Sequence, residues 1–349
     1  MITLPLLEEC EPTSSLVGIA RLAAEGQSIS GGHDVEFFTL ASRSLLNRCT
    51  AARMPFTWTI NPYRGCEFAC KYCYARYTHE FMEMRDGVDF ERKIYVKQRA
   101  AELLKRDLRK VKAGEEIAIG TATDPYQPAE RKFGVTRTIL EVFAGLAGFD
   151  IGIVTKSDLV LRDTELLRAV ASRNQLFVNV TITTLNTDLA RILEPRAPRP
   201  DLRLGAVQKL SQAGVPAGVI CAPVVPGITD STRDLDALVK ATKEAGGQYI
   251  FANALFLKPC SAAIFLPWLK QEFPHLVQTY HDRYGDRAYL GPAYRKRISQ
   301  LMARLRRKHG IGALNSKNSQ TTHARDGFPP AASDASTKTP PFQAQLSLF

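Results

Sequence analysis

From Glu116 onward the sequence alternates short apolar, β-branched runs with amphipathic stretches, and this rhythm constrains the fold more than any other feature. The runs are Glu116–Thr123 (EIAIGTAT), Asp150–Lys156 (DIGIVTK), Leu176–Thr183 (LFVNVTIT), Pro216–Val225 (PAGVICAPVV) and Tyr249–Leu257 (YIFANALFL). Between them Arg131–Leu146, Asp163–Ala171, Asp188–Leu193, Leu202–Ala213 and Leu235–Ala245 read as helices, the third and fourth separated by EPRAPRP. Strands apolar along their whole length are covered on both faces, so the pattern predicts βα units around a parallel sheet. A further β-leaning run, Phe56–Ile60, makes six strands. Six units are too few to close an eight-stranded barrel. The expectation is an α/β fold, a partial (βα)6 TIM-like barrel. A doubly wound sheet satisfies the same alternation, because alternation does not fix strand order.

The rest of the chain is read around that core. Residues 1–50 form an N-terminal extension with a short helix at Ser15–Ala24, then SISGG, then EFFTLASRSLLNR as a helix or irregular segment. The core spans 51–260, with a helix at Val96–Val111 ahead of the rhythm. A helical, basic region follows at 261–310, ending in the amphipathic RKRISQLMARLRRKHG from Arg295. Residues 311–349, rich in Ser, Thr, Ala, Asn and Pro, are expected to be a disordered tail. No run of eighteen apolar residues suggests a membrane span, and MITLPLLEECEPTSS lacks the layout of a secretory signal, so a cytoplasmic location is expected.

Cysteine usage supplies the chemistry. Seven cysteines, an odd and unevenly spaced set, fit a reducing compartment and a metal site better than a disulfide framework. Cys66, Cys70 and Cys73 lie in NPYRGCEFACKYCYARYTHEF with C-x3-C-x2-C spacing. Those offsets put all three on one side of a tight loop or helical turn. Thiolates select zinc, copper(I) or iron–sulfur centres, and a closed structural zinc or four-iron site wants four ligands. The others, Cys10, Cys49, Cys221 and Cys260, are distant in sequence and form no second C-x2-C pair. Three readings stay open: a zinc site completed from afar, cysteines that are merely reactive or buried, and a [4Fe–4S] cluster with one iron left free. A free iron would bind a small molecule through its amine and carboxylate, as S-adenosylmethionine offers. Electron transfer to the sulfonium would then give a 5′-deoxyadenosyl radical that abstracts hydrogen.

The spacing, with Tyr72 just before the last cysteine, resembles the radical SAM superfamily. NPYRGC, KYCYARYTHE and GTATDPYQPAE, with TKS, TITTLNTDLARILEPRAPRP and APVVPGITD, resemble its branch related to spore photoproduct lyase, over roughly Phe37–Lys258. The resemblance implies Cys66, Cys70 and Cys73 as ligands of a [4Fe–4S] cluster, and S-adenosylmethionine as the second cofactor. It also implies that the end of the second strand, where Thr121, Thr123 and Asp124 fall, meets the methionyl amine, and that APVVPG, with Pro223 and Val225, lies against the adenine. Asp124 is the best acceptor there by chemistry, the alternative being an Asx turn before Pro125.

Ligands of such folds meet the carboxyl ends of the strands. Lys156 and Ser157 end the third strand, where a lysine needs an anionic partner or solvent. Asn179, Thr181 and Thr183 share one face of the fourth strand, suited to ribose hydroxyls or a carboxylate, although threonine is also simply a good strand former. Tyr126 would stack on substrate or cover the barrel mouth. Arg64 and His79 flank the cysteine loop as further site residues or as plain structural partners. Spore photoproduct lyase passes hydrogen through a cysteine; no motif assigns that role here, and Cys221 is the candidate by position alone, against packing as a small hydrophobe.

The formal net charge of +11 makes nucleic acid a reasonable partner, with the helix from Arg295 as a phosphate contact, although few aromatic residues interleave with its charges. A peptide or small-molecule substrate is the alternative within the same chemistry. A non-enzymatic metal-binding or nucleic-acid-binding module is the rival from another class. The radical chemistry would also need a reducing partner such as flavodoxin or ferredoxin, for which the chain carries no donor motif.

Overall fold

The computed structural model describes residues 16–32, 34–50 and 54–313. Cys10 and nearly all of the expected disordered tail lie outside these residues. A short helix at Gly18–Ala24 leads to β1 (Ser28–Gly32), β2 (Val35–Leu40), β3 (Leu46–Arg48), β4 (Trp58–Ile60), β5 (Tyr63–Arg64) and β6 (Lys93–Lys97). The stretch EFFTLASRSLLNR, expected as a helix or irregular segment, thus forms two strands with an irregular link between them. Its aromatic and β-branched residues find partners the sequence does not reveal: β2 pairs with β1 and β6, and β3 with β4. Likewise the expected helix Val96–Val111 begins as the last residues of β6 and becomes helical only at Ala100–Asp107.

The larger sheet adds β7 (Glu116–Ile119), β8 (Asp150–Thr155), β9 (Gln175–Thr181), β10 (Ala217–Val224) and β11 (Ile250–Ala254), in the order β11-β10-β9-β8-β7-β4-β3. From β4 to β11 every pairing is parallel, and β3 closes one edge antiparallel to β4. The order never reverses, as it would at the switch point of a doubly wound sheet, so the fold is the partial barrel. A helix returns the chain after each of the middle strands: Val135–Ala144, Thr164–Ala171, Pro200–Gln212 and Thr232–Glu244. The expected single helix over Arg131–Leu146 is two, because Gly134 takes a left-handed φ of +61° that ends Ala129–Phe133 and starts Val135–Ala144.

The main core fills the layer between sheet and helices. Ile151, Ile153, Leu176, Val178, Val180, Ala217, Val219 and Cys221 alternate outward from the strands against Ile139, Leu140, Leu167, Ala206, Leu210 and Leu238. Each fully buried leucine or isoleucine contributes roughly 1.5–3 kcal/mol. A second apolar cluster gathers round the cysteine loop, with Phe68, Leu193, Val225, Ala254, Leu255, Phe265 and Trp268.

An open barrel leaves the β11 edge unpaired, which is an aggregation hazard unless covered. The helix Pro292–His309 packs its buried Ile298, Leu301, Met302 and Leu305 against that side. Arg297 pairs with Asp230 at 2.6 Å, and Lys308 and His309 pair with Asp236 at 2.8 Å. Beyond it Ile311 is buried and the backbone at Gly312 bridges Tyr249. The basic helix read as a phosphate contact also covers this edge, with part of its charge paired to two aspartates. Among the described residues no helix is long and apolar enough to cross a membrane.

Candidate active site

The cysteine loop leaves the carboxyl end of β4 through β5, turns at Gly65 and winds into short helical turns at Tyr74–Arg76 and Tyr77–Glu80. Gly65 has φ +85°, and a Cβ there would stand 2.7 Å from the Lys93 carbonyl oxygen, so only glycine fits. Cys66 and Cys70 are buried and Cys73 half-buried. Burial pushes the Cys70 thiol up to about 12, with Lys156 opposing and Glu194 and Cys73 adding to it, and pushes Cys66 well above the ordinary thiol range, with Asp124, Cys70 and Cys73 adding to it. Burial favours the neutral thiols, so only a cation bound there would hold them as thiolates. Among the described residues no three His, Cys, Asp or Glu side chains are gathered as they would be round one metal ion. A four-iron cluster gives each thiolate its own iron, which asks for a wider spacing than one shared ion does.

The loop is held by the segment that follows β7. Thr123 donates to the Gly65 carbonyl at 2.6 Å, and Gln127 donates to the same oxygen at 3.1 Å while accepting from the Glu67 amide at 2.9 Å. The Glu67 carboxylate accepts from the Ala129 amide at 2.7 Å. The segment after β9 holds the other side: the Lys71 amide donates to Leu193 and the Arg196 amide to Phe68. Buried Arg76 donates to the Cys70 carbonyl at 3.0 Å and pairs with Glu91 at 3.1 Å. The motifs flanking the cysteines are thus largely a brace for their backbone.

Asp124 is part of that brace. Its Oδ1 accepts from the Tyr126 amide (2.9 Å) and the Thr155 hydroxyl (2.7 Å), and its Oδ2 from the Lys156 amide (2.7 Å). This is the Asx turn, and it ties the ends of β7 and β8 together. Ser157 caps the next turn by accepting from the Leu159 amide at 3.2 Å. Thr121 accepts from Asn61 at 3.3 Å through its hydroxyl and from Tyr74 through its carbonyl. Thr183 donates to Glu194 at 3.0 Å, while the Thr181 carbonyl accepts from Arg203 at 3.2 Å. Asn179 lies deeper, bonded to the Ile153 carbonyl and the Tyr249 hydroxyl. Val225 packs in the same apolar cluster as Cys66 and Cys70, and Pro223 is half-buried on the adjoining strand end.

Two catalytic assignments are corrected by burial and strand parity. Cys221 points outward with Val219 into the sheet–helix core, fully buried, its thiol pushed up to about 12 by burial. Tyr126 is fully buried in the same core and cannot stack on a substrate. Lys156 does face the site: its ammonium lies 5.7 Å from the Tyr72 ring centroid. Burial opposes its charge, but the charges of Cys70, Glu194 and Asp124 outweigh that and hold its pKa above the usual lysine value.

The sequence reading missed a buried polar network beside Cys70. Glu194 accepts from Tyr72 and pairs with Arg203 at 2.5 Å, both side chains essentially fully buried. Glu194 sits in the EPRAPRP interruption and Arg203 on an otherwise ordinary helix; a charged residue opening a proline-rich break was the one available signal. Cys260, remote in sequence, is brought to the loop, with its thiol 3.9 Å from the Tyr74 carbonyl.

His79 carries a pH dependence. Its Nε2–H donates to the Lys93 carbonyl at 3.0 Å, and burial drops its pKa to about 4. Above the unfolded value of about 6.5 both states are neutral. As pH falls from there to about 4, the unfolded chain takes up the proton first, and about 3 kcal/mol of stability is lost. Urea unfolding at stepped pH should show that loss, and His79→Gln should flatten it; an unchanged slope in the variant would assign the effect elsewhere.

Comparison with known proteins agrees with this architecture. The family model described as the Radical SAM superfamily matches residues 60–239. An uncharacterized protein of Mycobacterium tuberculosis is 35% identical over 279 residues, 79% of this chain and 82% of its own length. One of Methanocaldococcus jannaschii is 29% identical over 233 residues, covering 67% and 83%. A mutant spore photoproduct lyase with bound AdoMet and dinucleoside spore photoproduct superposes with TM-score 0.60 at 16% identity, over 86% of this chain and 87% of that one, a likeness of fold. The family match runs from the end of β4 through most of the helix Thr232–Glu244, taking in the cysteine loop and its braces: the chain belongs to the radical SAM superfamily and is an S-adenosylmethionine-using enzyme.

Proposed function

We propose that Cys66, Cys70 and Cys73 hold a [4Fe–4S] cluster whose fourth iron is left for S-adenosylmethionine, and that the enzyme abstracts hydrogen from a nucleic acid. The observation that supports the cluster is the gathering of the three thiols in one apolar cluster, Cys66 and Cys70 buried and Cys73 half-buried against them. When bound and reduced, the pair supplies a 5′-deoxyadenosyl radical. The chain's own residues hold, orient and shield. Gly65, Thr123, Gln127 and Arg76 fix the loop backbone, and the apolar cluster with Val225, Phe68 and Trp268 excludes water.

Among the strand-end residues, Lys156 is suited to an anionic group of the ligand, because its ammonium faces the site. Thr121, Pro223 and Val225 remain as wall contacts, with Thr181 on the same face as Thr183. Asp124, Thr123, Ser157 and Thr183 act through the frame they hold, and Asn179 from deeper in the barrel. A flavodoxin- or ferredoxin-type protein would supply the electron.

The net charge of +11 and the fold likeness to spore photoproduct lyase, described with a dinucleoside photoproduct, support a nucleic-acid substrate. Anaerobic reconstitution should load about four irons per chain, and reduction with S-adenosylmethionine should release 5′-deoxyadenosine. A chain that takes up neither iron nor cleaves the cofactor would sink the proposal.

A further inference from the structure

A groove of about 450 Å³ lies at the β3–β4 edge of the barrel, lined by Ala41, Ser42, Arg43, Gln98, Arg99, Leu103 and Arg106. Its position follows from register. Leu46 stands opposite Ile60 in the antiparallel β3–β4 ladder, so residues 41–45 lie beyond the carboxyl end of β4. The cysteine loop leaves from that same end. The Gln98 amide donates to the Leu40 carbonyl at 3.0 Å and fixes the other wall. One wall of the groove and the cysteine loop thus both follow from the carboxyl end of β4.

We infer that this groove binds the phosphodiester backbone of a nucleic acid and lays the strand toward the cysteine loop; the inference rests on the nucleic-acid reading above. Its polar lining is three guanidinium groups, one amide and one hydroxyl, all able to donate to phosphate oxygens. Arg99 is held by Glu102 and Arg106 by Asp107, which presets their forks. Arg43 has no ion pair among the described residues. Exposed Lys105, Arg109 and Lys110 continue the positive surface along the same helix and the turn after it. An acidic protein is a poorer occupant. Protein interfaces centre on an apolar patch with aromatic anchors, whereas no lining residue here is aromatic and only Leu103 and Ala41 are apolar residues. The absence of aromatic lining also means that bases are not stacked in the groove, so binding there is independent of sequence.

The test uses the full chain and a short fluorescein-labelled DNA duplex, with anisotropy titrations across a salt series. Arg43→Gln should weaken binding several-fold and lower the salt slope by about 0.9, the value of one phosphate contact. Arg43→Gln/Arg99→Gln/Arg106→Gln should weaken it by about tenfold or more. If the triple variant does not fold, the single variant, which breaks no ion pair, decides alone. Release of 5′-deoxyadenosine without DNA should stay at the wild-type level in both, so failure here is separable from failure of the radical chemistry. Unchanged affinity and slope would overturn the inference. So would unchanged DNA binding with slower reduction by an acidic flavodoxin, which would make the groove a protein-docking site.

Discussion

Replacing Cys70 with alanine should abolish cluster retention and release of 5′-deoxyadenosine while leaving the fold in place. The thiol is buried among the Lys156 and Glu194 charges and Cys73. Loss of a supporting contact at a metal site costs roughly 10–100-fold; loss of one of only three anchoring thiolates should exceed that and take activity to background. Iron content, the visible absorption of the cluster and product release measure it, with far-UV circular dichroism as the control for folding. Cys221→Ala is the informative partner. Its side chain packs in the sheet–helix core, so that variant should keep cluster and cleavage and lose only packing stability. Wild-type iron in the Cys70 variant, or a dead Cys221 variant, would overturn the assignments.

Removing Arg203 should be the most destabilising single change outside the cysteine loop. Its guanidinium pairs with Glu194 where both side chains are about 1% exposed, and it also donates to the Pro198 and Thr181 carbonyls. Arg203→Met strands a buried carboxylate, at a cost of about 3–5 kcal/mol. Adding Glu194→Gln removes the stranded charge and should recover much of that loss, because a buried pair stabilises far less than breaking it destabilises. The double variant should still impair the cofactor site, since Glu194 accepts the Tyr72 hydroxyl one residue before Cys73. Denaturant unfolding of the wild type and the two variants gives the energies. A single variant losing under about 1 kcal/mol would show that the pair is dispensable.

The cysteine triad and the six parallel strands were legible because their signals are local. C-x3-C-x2-C is a spacing, and a doubly covered strand declares itself by its apolar run. The roles of individual polar residues were far less legible. Asp124 read either as the acceptor for a ligand amine or as an Asx turn, and the fold shows the turn, bonded to Tyr126, Thr155 and Lys156. Cys221 read as a site thiol, but the two-residue period of β10 sends it outward with Val219. The basic helix read as a nucleic-acid contact from its charges, and that its apolar stripe also covers the open edge at β11 was not legible.

The sequence by itself determined the family, the alternation of strand and helix, and the stretch that carries the chemistry. Only the tertiary structure decided strand order, which face each strand residue serves, and the pairing of Glu194 with Arg203 against Cys70. The physical reason is the range of the interactions. Thiolate spacing and hydrophobic periodicity act between near neighbours in the chain, whereas a buried charge is satisfied by whatever the fold brings beside it.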